Sequence, residues 1–313
     1  MKHFFSACLL VCGFVWPLQA QYGLADVKVY AFDEGLSHRI VSKILQDREG
    51  YIWIANLKNG LNRFDGYEFL SRQQDMPFDA ITDMVMDGQG TIFMSNPGYL
   101  TTFQPASNRF DTLRIHQNNA TRREVLSPYN LMRDPVGQLW MAAYDERTAA
   151  TYIQVADPAK KQCRRLFQAP GTYARRPIAA FGEFVYVGAF ENELWQLDRQ
   201  GNILQKLQLP LSGGVRQNSR IVQLQAESDA LWILLANGRL FKMPAGGTPR
   251  FEPHPLNAQI SRRATGLAAS LLVENNGQVW IGGLGMLLQY DNNTGKLTDY
   301  DEPVRQLIKN TCL

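Results

Sequence analysis

The sequence predicts an all-β fold: a β-propeller with six recognisable four-stranded blades, forming an incomplete seven-bladed ring. Three observations predict it. An aromatic anchor recurs at Trp53, Phe93, Trp140, Tyr186, Trp232 and Trp280, in steps of 40, 47, 46, 46 and 48 residues. A turn rich in Asp and Gly precedes most anchors, as in "DREG" (47–50), "DGQG" (87–90) and "DPVG" (134–137). No stretch sustains apolar i, i+3, i+4, i+7 spacing, and turn residues break the chain every ten or so positions, which excludes a helical repeat. Four short strands in a unit of about 45 residues make a propeller blade.

Each unit reads in the same order. An apolar inner segment comes first, such as "RIVSKIL", "AITDMVM" or "RIVQLQ". The turn follows, where Gly supplies positive φ and Asp bonds the turn backbone. The aromatic strand comes next, with β-formers on alternating faces. A third strand opens on "GL" or a similar step ("GLNRFD", "NELWQLD", "GMLLQYD"), and a fourth, more polar strand closes the unit ("YEFLSR", "ILQKLQL", "KLTDY"). The inner strands are apolar because neighbouring blades flank them on both sides.

The ends of the chain are read separately. Residues 1–20 carry a basic "MKH", an apolar run "FFSACLLVCGFV" and a small residue at Ala20, the order of a secretory signal cleaved after Ala20. The run is too short for a comfortable membrane span, and no later segment reaches about 18 apolar residues. The expected location is therefore periplasmic or secreted. Residues 21–302 form the propeller. "VKVYAF" (27–32) precedes blade 1 as an outer strand without a blade of its own, and propellers commonly close by letting such a strand complete the last blade. Residues 303–313 are a tail or the start of a further blade, with "VRQLIKN" (304–310) as its inner strand. An open sheet edge is a liability that closure normally removes, which favours the front part of a longer ring over a finished six-bladed one.

Composition narrows the function. The 313 residues are 45% hydrophobic and 19% charged, with 32 Lys+Arg against 29 Asp+Glu. A net charge of +3 gives no argument for nucleic acid. Cys8 and Cys12 leave with the signal. Cys163 and Cys312 remain far apart; Cys163, in "KKQCRR", reads as a thiol on a charged outer strand. His38, His116 and His254 lie in separate blades without a second ligand, so no metal site is expected, and no phosphate loop, nucleophile elbow or CxxC motif points to a cofactor.

The segments "EGLSHRIVSKILQD", "ILQDREGYIWIANLKNGLNRFDG" and "LLVENNGQVWIGGLGMLLQYD" closely resemble the two-component regulator propeller repeat. The resemblance covers nearly all of 27–302 and is strongest in blades 1, 3 and 6. Blade 4 replaces Trp by Tyr186 and loses the DxxG turn; blade 5 keeps Trp232 but carries "ESDA". The resemblance implies the exported sensor region of a bacterial hybrid two-component system or related histidine kinase, with a seven-bladed propeller and, where ligands are understood, a carbohydrate. The family's second propeller, membrane helix and kinase have no counterpart in this sequence, so signalling output would lie outside the chain.

Repeated residues most simply serve the repeat. Trp53, Trp140, Trp232 and Trp280 are read as inter-blade packing, and Asp47, Asp87 and Asp134 as turn residues. Function belongs where the units differ, on loops that a rigid scaffold holds. The loops entering the inner strands rim the central channel and place Arg39, Arg176, Arg220 and Arg263 just before the strand, doubled by Arg175 and Arg262. His38, Asp79, Tyr129 and Asn130 add hydrogen-bonding groups and an aromatic face. Guanidinium groups round one mouth would recognise carboxylate or sulfate in a planar, bidentate way. The expected ligand is an anionic or neutral oligosaccharide, and no catalytic residue is assigned. Two alternatives stay open: a protein-interaction scaffold, as homodimer or with a partner receptor, and a polysaccharide lyase or hydrolase drawing on rim acids such as Asp79 with Glu34.

Overall fold

The computed structural model describes residues 30, 33–115, 126–171, 174–211, 218–260, 267–301 and 304. The signal sequence, the segment 305–313 and the pair Arg262 and Arg263 lie outside these residues. Within them the chain forms six four-stranded antiparallel sheets in a ring, as the repeat predicts.

Blade 1 comprises Val41–Gln46, Ile52–Asn56, Leu61–Phe64 and Phe69–Ser71. Blade 2 comprises Asp83–Met86, Ile92–Asn96, Tyr99–Gln104 and Arg109–Arg114. Blade 3 comprises Leu126–Arg133, Leu139–Asp145, Ala150–Asp157 and Gln162–Ala169. Blade 4 comprises Ile178–Phe181, Phe184–Gly188, Glu193–Leu197 and Ile203–Gln208. Blade 5 comprises Ile221–Ala226, Ala230–Leu235, Leu240–Pro244 and Glu252–Pro253. Blade 6 comprises Leu267–Val273, Gln278–Leu284, Met286–Asp291 and Lys296–Asp299.

The core lies between blades, and each anchor faces the next blade. Trp53 packs edge-on against Phe103 of blade 2, with ring centroids 5.6 Å apart. Trp140 packs with Ile178 of blade 4, Tyr186 with Leu224 of blade 5, and Trp232 with Leu271 of blade 6. Each buried indole removes on the order of 200 Å² from water, about 5 kcal/mol of gross transfer free energy.

The last junction differs. The inner-strand residue that plugs the preceding blade's interface is 0–8% exposed as Met84, Leu131, Ile178, Leu224 and Leu271. Its counterpart in blade 1, Ile44, is 57% exposed. On the facing wall Leu272 and Leu284 of blade 6 are exposed and Trp280 is only half-buried. No apolar cluster of the described residues joins blades 6 and 1. Tyr30 does reach that side: it packs edge-on against Phe64 at 4.9 Å, as Trp53 does against Phe103, and against Phe69 at 5.4 Å.

Inner strands curve through β-bulges at matching positions. The register skips a residue between Val41 and Lys43, between Ile221 and Gln223, between Ala268 and Ser270, and opposite Trp140 to Ala142. A bulge bends its strand and re-aims a side chain. Here Ser42, Asn130, Val222 and Ala269 all turn to the central channel.

Candidate functional site

The channel encloses about 680 Å³ between the inner strands of the six blades. Its charged lining is unbalanced: Lys43, Arg133, Arg175 and Arg220 face one acid, Asp83, among the described residues. The Arg175 guanidinium lies over the Tyr129 ring, 5.6 Å from its centroid, within cation–π range. Asn130 sits in the bulge with φ 51, and its Oδ1 is buried with no hydrogen-bond partner among the described residues. Asn tolerates this left-handed conformation better than most residues.

Asp83 is the electrostatic centre. Its Oδ1 accepts the amide of Met84 at 2.9 Å, and its Oδ2 accepts that of Leu131 in blade 3 at 2.8 Å. Lys43 Nζ lies 3.8 Å away. Burial pushes the carboxyl above the usual aspartate range, against the pull of Lys43, the two amides and Arg175. Asp83 thus laces blade 2 to blade 3 while presenting a carboxylate to the channel.

Side chains lace other blades at the same level. Ser42 Oγ donates to the Ile81 carbonyl at 2.7 Å. Gln223 Nε2 donates to the Leu271 carbonyl at 2.8 Å, and its Oε1 accepts the Leu271 amide at 2.8 Å. Gln225 repeats this bidentate clasp on Val273 at 3.0 Å. Polar groups in these strands therefore build the channel wall as well as facing into it.

The structure divides the residues read as the rim site. Tyr129, Asn130, Arg175 and Arg220 line the channel together. His38, Arg39 and Asp79 do not line it. His38 Nδ1 accepts the Ile40 amide at 3.0 Å in a local turn, Arg39 is exposed, and Asp79 is exposed on the loop before blade 2, where its carbonyl accepts the Gly60 amide. Arg176 is buried and donates to the carbonyls of Ala189 and Pro170, so its charge serves the blade. Arg262 and Arg263 fall outside the described residues. Sequence reasoning missed Lys43 and Asp83, which are hidden in "SKIL" and "TDMVM". A charge inside an otherwise apolar inner strand is the signal that would have found them.

Other candidates resolve into structure. His254 is buried between the rings of Trp232 and Tyr290, with Nε2 2.9 Å from Asn292 Oδ1. Cys163 stands on the outer strand of blade 3, where burial pushes its thiol up to about 11 despite the flanking arginines. No helix among the described residues is long and apolar enough to cross a membrane.

No protein-family model matches the sequence, and no curated protein is similar to it. Solved structures are similar in fold. One is the extracellular domain of a hybrid two-component system from B. thetaiotaomicron, with a TM-score of 0.58 and 19% identity over 85% of this chain. The chain and these structures share the propeller fold. PorZ, a bacterial surface component of the type-IX secretion system of Porphyromonas gingivalis, matches with a TM-score of 0.58 and 13% identity over 84% of this chain. The chain spans 33% and 42% of the lengths of those two proteins. A luciferin-regenerating enzyme matches with a TM-score of 0.52 and 11% identity, over 79% of this chain and 84% of its own.

Proposed function

We propose that this chain is an exported sensor propeller of a two-component-type receptor that binds an anionic oligosaccharide in its central channel without catalysis. One observation carries the reading: four cations and the Tyr129–Arg175 stack converge on a channel with a single acid among the described lining residues. Guanidinium groups suit carboxylate or sulfate, and an aromatic face suits the apolar face of a sugar ring. The lone Asp83 offers no carboxylate pair of the kind glycoside hydrolysis uses. The likeness to an extracellular domain of a hybrid two-component system supports the sensor assignment.

Calorimetric titration with uronate-containing, sulfated and neutral oligosaccharides tests it. An acidic oligosaccharide binds, with affinity falling in salt. Arg175→Ala and Arg220→Ala each weaken it about tenfold. Equal binding of neutral and acidic sugars, or unchanged affinity in both variants, would refute the channel site. Depolymerisation of any of these glycans would refute the non-catalytic assignment.

The exposed walls at Ile44, Leu272 and Leu284 favour a second reading, in which the junction between blades 6 and 1 receives another polypeptide. Light scattering over a concentration series addresses it; a monodisperse monomer at all concentrations would count against self-association there.

A further inference from the structure

The junction between blades 4 and 5 departs from its counterparts in two ways. The hairpin joining the first two strands of blade 4 has two residues, Gly182 and Glu183, between the Phe181–Phe184 pair. Its counterpart in blade 1 has five, Asp47 to Tyr51, between Gln46 and Ile52. In blades 1 and 3 the space beside that turn holds an indole and the carboxylate it bonds, as in Trp53 with Asp47 and Trp140 with Asp134. In blade 4 the anchor is the smaller Tyr186, and Ala180 stands six residues before it, where blades 1 and 3 carry the bonded Asp. An open cleft of about 710 Å³ remains, a volume typical of small-molecule sites.

The cleft lies at the ends of the inner strands opposite the loops that enter them. Phe181, Phe184, Tyr186 and Met243 form apolar walls. Gln196, paired across the sheet with Tyr186, lines it too. Gln196 is only 7% exposed, and that exposure opens on the cleft that it lines. Its counterpart in blade 6, Gln289, accepts the Tyr300 hydroxyl at 3.0 Å. The Gln196 amide is left to pair with whatever enters the cleft, water or a ligand's polar group. The charged lining residues are both acidic, Glu183 and Glu227, which disfavours anions.

We propose that this cleft is a second binding site, for a neutral, planar aromatic ligand of indole size whose polar group pairs with the Gln196 amide. The site stands independently of the channel reading. The ligand restores to blade 4 the ring that its sister blades carry in their own sequence.

Ligand-detected NMR on the full chain, with indole-3-carboxamide as probe, tests this. The probe binds saturably. Tyr186→Trp fills the cleft and lowers affinity at least about tenfold, as does Gln196→Leu, which removes the amide. Ala245→Trp, on the exposed loop at the cleft mouth, blocks entry without touching the core, so the outcome does not depend on Tyr186→Trp folding. Absence of saturable binding overturns the site. Wild-type affinity in the blocking variants places the probe elsewhere and also overturns it, and wild-type affinity in Gln196→Leu overturns the role of the amide.

Discussion

The indole nitrogen of Trp140 donates to Asp134 Oδ2 at 3.1 Å, while Oδ1 of the same carboxylate accepts the amides of Val136 and Gln138 at 3.0 and 2.9 Å. One acid therefore closes the turn and pins the blade's anchor. Asp47 does the same for Trp53 at 2.7 Å, and Glu274 bonds Trp280 at 2.8 Å. Blade 5, with its altered "ESDA" turn, leaves the buried Trp232 Nε1 without a hydrogen-bond partner among the described residues.

Asp134→Ala should cost about 3 kcal/mol, because it strands three donors at a buried position. Trp140→Phe should cost at least about 1 kcal/mol more than Trp232→Phe. The first deletes the hydrogen bond to Asp134 Oδ2, leaving it only Arg199 at 4.0 Å; the second deletes a donor that has no partner among the described residues. Urea unfolding midpoints measure both, and equal costs for the two Phe variants would show that the clasp contributes nothing.

The junction between blades 6 and 1 gives a second prediction. Ile44 and Leu224 occupy equivalent inner-strand positions, one 57% and the other 8% exposed. Leu224→Asp should cost about 4 kcal/mol or prevent folding, since it buries a carboxylate in an apolar cluster. Ile44→Asp should cost under about 1 kcal/mol and improve solubility. Thermal unfolding compares them. Comparable damage from both would mean that the blade 1 face is covered in solution.

These two junction types show what the sequence carries and what it does not. The 46-residue step and the DxxG turns are local, so the blades and their anchors could be read directly. The clasp was half legible: Asp134 is a turn residue, as its type suggests, but its second oxygen serves an indole six residues on. Channel membership was less legible, because it depends on bulges. A single extra residue at Ser42 or Asn130 changes which side chain meets the channel, and no residue type marks it. Lys43 and Asp83 were masked by the apolar strands that hold them.

Asp83 makes stability depend on pH. Its carboxyl titrates above its unfolded value because it is buried, so the folded state holds the proton more tightly. Its contribution is full below the unfolded pKa of about 4 and is lost as pH rises through the higher folded value. Asp83→Asn removes that titration. The difference in urea midpoint, wild type minus Asp83→Asn, should therefore fall as pH rises above about 4. A difference that rises with pH would mean that Lys43 and Arg175 outweigh burial.

Arg175 and Arg176 are neighbours with opposite surroundings. Arg175 is exposed in the channel over Tyr129, whereas Arg176 is buried with its guanidinium on the carbonyls of Ala189 and Pro170. Both precede the first strand of blade 4, and one side chain goes to the channel while the other goes into the blade. Arg176→Ala should destabilise the protein by about 3 kcal/mol, because it leaves two carbonyls unbonded and a cavity behind. Arg175→Ala should change stability by less than about 0.5 kcal/mol, since an exposed cation–π contact contributes little. Any effect of Arg175→Ala on glycan binding then reports on the ligand alone. Thermal unfolding of the two variants side by side provides the check. Similar losses in both would mean that Arg175 is also part of the blade, and its use as a binding probe would have to be abandoned.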